Sequence, residues 1–182
     1  ANAAERTRFA AHIQVMPYGV LGKVRHPRHM EDTPVGMKPN KSRVITDPAG
    51  LEHIQGDGPV AAGQASRAIY RFLGISRWSE FPEKVQDAID EECKAKCVWY
   101  KVCNCPASRK CKCDRIACIH VASPNFENDQ CTWEDALARL STAYTNVLAG
   151  YCTCQHMFHT TGPILRIAPI SGGVYAGKFK KR

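Results

Sequence analysis

No apolar run in this sequence approaches the roughly 18 residues a membrane-crossing helix needs, so neither a transmembrane helix nor a membrane partner is expected. The opening stretch Ala1–Phe9 carries Glu5, Arg6 and Arg8 and lacks the apolar core of a secretory signal, which points to an intracellular protein. That absence bears on the cysteines. Without a signal, ten cysteines do not read as the disulfide framework of a small secreted domain, and reduced thiols are expected. Also missing is any RNA-recognition, helix-turn-helix or zinc-finger spacing among the basic residues.

What is present suits one ordinary domain over 1–182, since 182 residues with a 44% hydrophobic share can bury a real core. The net charge is +8, with basic density at Lys23–His29, Lys94–Arg115 and Lys178–Arg182. Such a balance suits a polyanionic ligand or RNA, and equally a solvated basic surface.

Local patterns predict the element order. Phe9–Met16 has the apolar spacing of a first strand, ended by Pro17-Tyr18-Gly19. Residues 19–41 lack periodicity and read as an irregular insertion. Ser42–Thr46 is a short β-branched strand that Asp47-Pro48 breaks. Leu51–Gly63 is a glycine-rich loop. Gln64–Leu73 is a helix with Ala65, Ala68, Ile69 and Phe72 on one face and Gly74 as its stop. Pro82–Cys97 is spaced as a second helix. Val98–Val102 and Arg115–Ala122 are strands flanking a Cys/Lys-rich excursion at 103–114. Trp133–Tyr151 is the clearest helix, capped by Thr132 or Asp129 and closed by Gly150, with Cys152–Gly162 as a connector. Leu165–Ile170 is the last strand. Helices alternating with strands predict an α/β fold: a three-layer α/β/α sandwich on a mixed, mostly parallel sheet, whose ligand sits beyond the carboxyl ends of its strands.

Two such ends are rich in glycine. The last strand runs into Ser171-Gly172-Gly173, where the backbone can approach a ligand closely and turn its N–H groups outward, as a diphosphate requires. A tight turn explains the same residues. The loop after Thr46 carries Gly50, Gly56, Gly58 and Gly63, and a pair of glycine-rich loops specifies a phosphate-bearing ligand better than either alone.

Four segments together resemble the macrodomain, an ADP-ribose-binding α/β/α module. They are Ile45–Tyr70, Ile119-His120-Val121-Ala122-Ser123-Pro124, Leu140–Ala149 with Tyr144, Asn146 and Leu148, and Ile167–Gly177, IAPISGGVYAG. They span roughly residues 42–177 in order, and the last is the most specific. The resemblance implies binding of ADP-ribose or an ADP-ribosylated macromolecule, with no cofactor required. Ser171, Gly172, Gly173 and Val174 would hold the diphosphate, and Tyr175 would pack against the distal ribose. Gly63, Gln64 and Ala65, or Gly56 and Gly58, would form the opposing loop. Asp47 and Gly50 would stand where the family places two asparagines, and Asp32 is the one candidate for reading adenine.

Gly50 is a departure, because glycine has no side chain to orient a ribose hydroxyl or a water. Asp47 can accept a hydroxyl hydrogen bond or serve as a base, and it is equally a turn residue before Pro48. His120 is a second acid–base candidate, or a core histidine. A hydrolase of ADP-ribosyl linkages or of ADP-ribose phosphate, with Asp47 or His120 as the acid–base group, is therefore an alternative to simple binding. A protein with a degenerate pocket that binds RNA or joins an assembly is another. Arg67 and Lys178 flank the loops and read as phosphate partners or as solvated charge. Cys103, Cys105, Cys111 and Cys113 form paired Cys-x-Cys motifs that could hold zinc or remain free thiols. Cys152, Cys154, His156 and His159 form a second soft-ligand cluster with the same two readings.

Overall fold

The computed structural model describes residues 2–25, 32–34, 36, 38–40, 42–56, 58–75, 81–102, 114–128, 130–155 and 163–181. It shows an α/β fold. Strands β3 (Arg43–Ala49), β4 (Ala95–Val102), β5 (Asp114–Ala122) and β6 (Ile164–Arg166) form a mixed sheet in the order β4-β5-β3-β6. β3 runs parallel to both β5 and β6, and β4 is antiparallel to β5. Helices α2 (Leu51–Gln55), α3 (Gly58–Ala61), α4 (Gln64–Leu73) and α5 (Glu83–Gln86) follow β3, and α6 (Trp133–Gln155) links β5 to β6.

The strand pleat sorts the core into two clusters. Ile45, Ala49, Ile116, Cys118 and Val98 point to one face and pack with Ile54, Ile69, Tyr70, Leu73 and Val85 of the helices after β3. Val44, Ala117, Ile119 and Val121 point to the other face and pack with Ala143 and Val147 of α6. Each fully buried Ile or Val side chain contributes about 1.5–3 kcal/mol of transfer free energy, so both faces hold the sheet. Among the described residues no helix is long and apolar enough to cross a membrane.

Several sequence expectations change. Phe9–Met16 is not a strand. The N-terminal element is helix α1 (Ala3–Ala10), set by a capping box in which Asn2 Oδ1 accepts from Glu5 N and Glu5 Oε2 accepts from Asn2 N, each at 2.9 Å. Phe9 and Ile13 are both 56% exposed, and among the described residues no strand pairs there to reward alternation. The 19–41 segment is not wholly irregular, since β1 (Lys23–Arg25) pairs antiparallel with β2 (Asp32–Pro34). Asp47-Pro48 does not break β3, which runs on to Ala49 because β5 supplies parallel partners along that length. The Leu51–Gly63 loop is mostly short helix. The Pro82–Cys97 helix stops after one turn. Cys93 turns the chain with a left-handed φ of 67°, and its N–H joins the Ala122 carbonyl, so sheet pairing replaces helical propensity.

At the other end, α6 continues past Gly150 to Gln155, with Thr132 and Asp135 exchanging its capping hydrogen bonds. A Cβ at Gly150 would lie 3.7 Å from Ile119, an ordinary packing contact, so this glycine passes over the sheet rather than closing the helix. The last strand is only Ile164–Arg166. Beyond it side chains replace the ladder: Ala168 N donates to Thr46 Oγ1 and Ile170 N to Tyr144 Oη. The Cys103, Cys105, Cys111 and Cys113 motif, and His156 and His159, lie outside the described residues. Among the described residues no group of three potential metal ligands comes together.

Candidate ligand-binding cleft

A cleft of about 410 Å³ opens between the start of α4 and the turn after β6. That volume lies within the usual range for small-molecule sites. Gly50, Gly63, Ala65 and Ser66 form one wall, and Pro169 with Ser171, Gly172, Gly173, Val174 and Tyr175 forms the other. The two glycine-bearing segments expected from the sequence thus face each other across one space. Gly56 and Gly58 lie outside that lining, and the side chain of Asp32 on β2 is outside the described residues. Gln64 begins α4 between two lining residues.

The first wall is a helix end. Gly63 is the N-cap of α4 in extended conformation, and no side chain caps it. The first-turn N–H groups of a ten-residue helix, with the positive end of its dipole, therefore lie at the cleft. The second wall is a turn held from behind. Ser171 adopts a left-handed φ of 53°, and its hydroxyl donates to the Pro124 carbonyl at 2.6 Å. Phe126 N donates to the Tyr175 carbonyl at 2.9 Å. Gly177, at φ 50°, passes so near that a Cβ would lie 1.9 Å from the Phe126 carbonyl oxygen, so only glycine fits. With its side chain facing Pro124, Ser171 offers the cleft its backbone. Among the described residues, the N–H groups of Ser171, Gly172 and Gly173 take no protein acceptor. They form a row of donors opposite a helix N-terminus.

The polar side chains of the cleft are acidic. Among the described residues Glu52, His53 and Glu127 line it, and no Lys or Arg does. Arg67 Nε instead donates to the Ala62 carbonyl, and Lys178 Nζ to the Cys131 carbonyl. The Tyr175 hydroxyl donates to Glu52 Oε1, joining the two walls. Partial burial, then that hydrogen bond and the Glu52 charge, hold the Tyr175 phenol above its ordinary range. This bridge explains Gly50. A Cβ there would lie 2.0 Å from the Tyr175 hydroxyl and 2.5 Å from the Glu52 carboxylate oxygens. His53 Nε2 lies 3.8 Å from Glu52 Oε1, and its buried Nδ1 has no hydrogen-bond partner among the described residues.

Asp47 and His120, the two alternative acid–base candidates, are not among the cleft's lining residues. Both are completely buried and directly opposite each other in the β3–β5 register. His120 Nδ1 lies 2.8 Å from Asp47 Oδ2, and His120 Nε2 lies 2.7 Å from the Tyr100 hydroxyl. A carboxylate accepts, so Nδ1 carries the proton toward Asp47 and Nε2 accepts from Tyr100, a tautomer assigned from the network. Phe81 and Tyr100 pack their rings 5.2 and 5.6 Å from the imidazole. Among the described residues, neither the buried Tyr70 hydroxyl nor Asp47 Oδ1 completes a well-formed hydrogen bond. Burial first, then the Asp47 charge, hold the Tyr70 phenol well above its usual range, and the same two causes in the same order raise the Cys118 thiol. The physical reason is parity. On β3, Asp47 alternates with Pro48, so it points with Ile45 and Ala49 into the core under α4 while Pro48 lines the cleft.

Glu52, His53, Ser66 and Glu127 were missed as lining residues. Glu52 and His53 lie two and three residues after Gly50, but a loop reading gives them no direction. The helical turn of α2 is what aims them at the cleft. Comparison of the chain with protein-family models, with curated proteins and with solved structures gives no match, so the macrodomain resemblance rests on the segments quoted above.

Proposed function

We propose that this protein is a macrodomain-like binding module that takes ADP-ribose, or a related ADP-ribosyl or nucleotide-diphosphate ligand, in the cleft between α4 and the Ser171–Tyr175 turn. One observation carries the reading: among the described residues, three successive backbone N–H groups, Ser171 to Gly173, have no acceptor, opposite a helix N-terminus that its N-cap residue does not cap by side chain. A diphosphate between them would gain charge-assisted hydrogen bonds worth about 1.5–3 kcal/mol each. Glu52 and Glu127 suit the hydroxyl donors of a ribose rather than its phosphates. The partner is then free ADP-ribose or a macromolecule carrying it. Calorimetric titration with ADP-ribose tests this, with saturable binding competed by ADP as the expected result. No heat at high micromolar ligand excludes the reading.

Hydrolysis of an ADP-ribosyl linkage or of ADP-ribose phosphate is the second reading. It is favoured by the carboxylates of Glu52 and Glu127 in the cleft. In that case these residues, not the enclosed Asp47 and His120, would serve as the acid–base groups. Turnover lost in Glu52→Gln or Glu127→Gln, with binding retained, supports it. Turnover unchanged in both variants excludes those roles.

A further inference from the structure

The pleat that separates the two cores also sorts the cysteines. Cys97 lies opposite Ile119 in the β4–β5 register, and Cys118 lies opposite Val98. Residues directly opposite in an antiparallel pair share a face. Cys97 therefore points with Ile119 toward α6, and Cys118 points with Val98 to the other side. On the α6 side the last helical turn brings Cys154 into the same cluster, 2% exposed, with Cys97 packed against it. Gly150, about one turn before Cys154, passes over Ile119, the residue opposite Cys97, with a Cβ there 3.7 Å from it. Cys154 Sγ donates to the Tyr151 carbonyl of its own helix at 3.3 Å. Interaction between the two thiols lowers Cys154 and raises Cys97, which burial raises further. Both sulfurs are unlinked. Among the described residues, three other thiols are placed elsewhere. Cys93 Sγ bonds the Arg139 carbonyl, which lies about 22 Å back along α6 at 1.5 Å per residue. Cys152 is exposed, and two residues before Cys154 on a helix it projects to the opposite side. Cys118 is shielded by the sheet itself.

We propose that Cys97 and Cys154 form a dithiol site for a small hydroperoxide, which converts the pair into a disulfide tying β4 to the end of α6. β4 is an edge strand and Cys97 is only partly buried, so an oxidant the size of hydrogen peroxide has a route to the pair. Cys154 gives up its proton, and the resulting thiolate attacks one peroxide oxygen. The O–O bond breaks, and the departing hydroxide takes a proton and leaves as water. The Cys97 sulfur then attacks the Cys154 sulfenic acid, an S–S bond replaces the S–O bond, and the leaving hydroxyl carries off the Cys97 proton as a second water. Two thiols are oxidised and one peroxide is reduced.

The test treats the full chain with equimolar hydrogen peroxide, then alkylates, digests and maps it by mass spectrometry. The expected result is a dithiothreitol-sensitive peptide joining Cys97 to Cys154, with both sites lost to the alkylating reagent at one common rate. In Cys97→Ser, the unresolved sulfenic acid on Cys154 should be trapped by dimedone. Peroxide-treated wild-type protein in which the disulfides map to other cysteines only, or in which Cys97 and Cys154 are lost at different rates without a joining peptide, overturns the proposal. The wild-type rate measurement stands even if the variant does not fold.

Discussion

Tyr175 reaches across the cleft to donate its hydroxyl to Glu52, and the bridge runs through the space where a side chain at position 50 would begin. The glycine that departs from the macrodomain pattern is thus matched to a bridge built by two other residues. Gly50→Ala is expected to displace Tyr175 and cost about 1–3 kcal/mol. The same change in a Tyr175→Phe background should cost less, because the obstructing hydroxyl is gone. Urea denaturation of the two single variants and the double variant gives the coupling directly. Strict additivity would show that the bridge does not constrain position 50.

The buried pair of Asp47 and His120 is expected to act on stability. Asp47→Ala leaves the His120 Nδ1 donor enclosed and unpaired, and should cost about 3–5 kcal/mol. Asp47→Asn keeps an acceptor of the same shape and should cost clearly less. Chemical denaturation measures both. If Asp47→Ala is as stable as the parent, the pair is not part of the core.

Alkaline pH should weaken the fold. Tyr70, Tyr100 and Cys118 are all held above their ordinary values, 10.0 for the phenols and 9.0 for the thiol, chiefly by burial. Below those values both folded and unfolded chains keep these protons, and the contribution to stability is fully present. As pH rises past 9.0, and more steeply past 10.0, the unfolded chain releases protons that the folded chain retains, and stability falls. The slope is at most about 1.4 kcal/mol per pH unit for each such group. Melting temperatures across the alkaline range, with tyrosinate absorbance followed in parallel, check this. The two tyrosines should ionise together with unfolding, not before it.

Binding at the cradle should be weakly dependent on salt, because among the described residues no Lys or Arg lines the cleft. The affinity for ADP-ribose is expected to change by less than about threefold between low and moderate salt. Any RNA binding through the +8 surface charge should fall steeply over the same range. Gly173→Glu sharpens the comparison. A Cβ at Gly173 meets nothing within 4 Å, so the fold should tolerate the change. A carboxylate in front of the N–H row should weaken ADP-ribose at least about tenfold, which is about 1.4 kcal/mol. RNA binding that persists in Gly173→Glu while ADP-ribose binding is lost would place the two ligands on different surfaces.

The sequence by itself determined the elements whose local signals agree. Gln64–Leu73 has an apolar face and a glycine stop, and Gly74 indeed sits in the left-handed region at φ 78°. The Trp133 helix has the 3.6-residue apolar period over many turns, and β5 has a β-branched run. The α/β class and the Ser171–Tyr175 turn followed from these. A capping box at Asn2 and Glu5 was equally legible, and the apolar spacing of Phe9–Met16 obscured it. The tertiary structure decided the rest, because local pattern carries no direction. Helical spacing from Phe81 to Ile89 was real, yet the sheet captured the chain at Cys93. Alternation along β3 says that Asp47 and Pro48 face opposite ways. Only the helices packed on each face decide that Asp47 goes into the core and Pro48 to the cleft. The space at Gly50 was likewise decided by Tyr175, more than a hundred residues away in the chain and in direct contact in the fold.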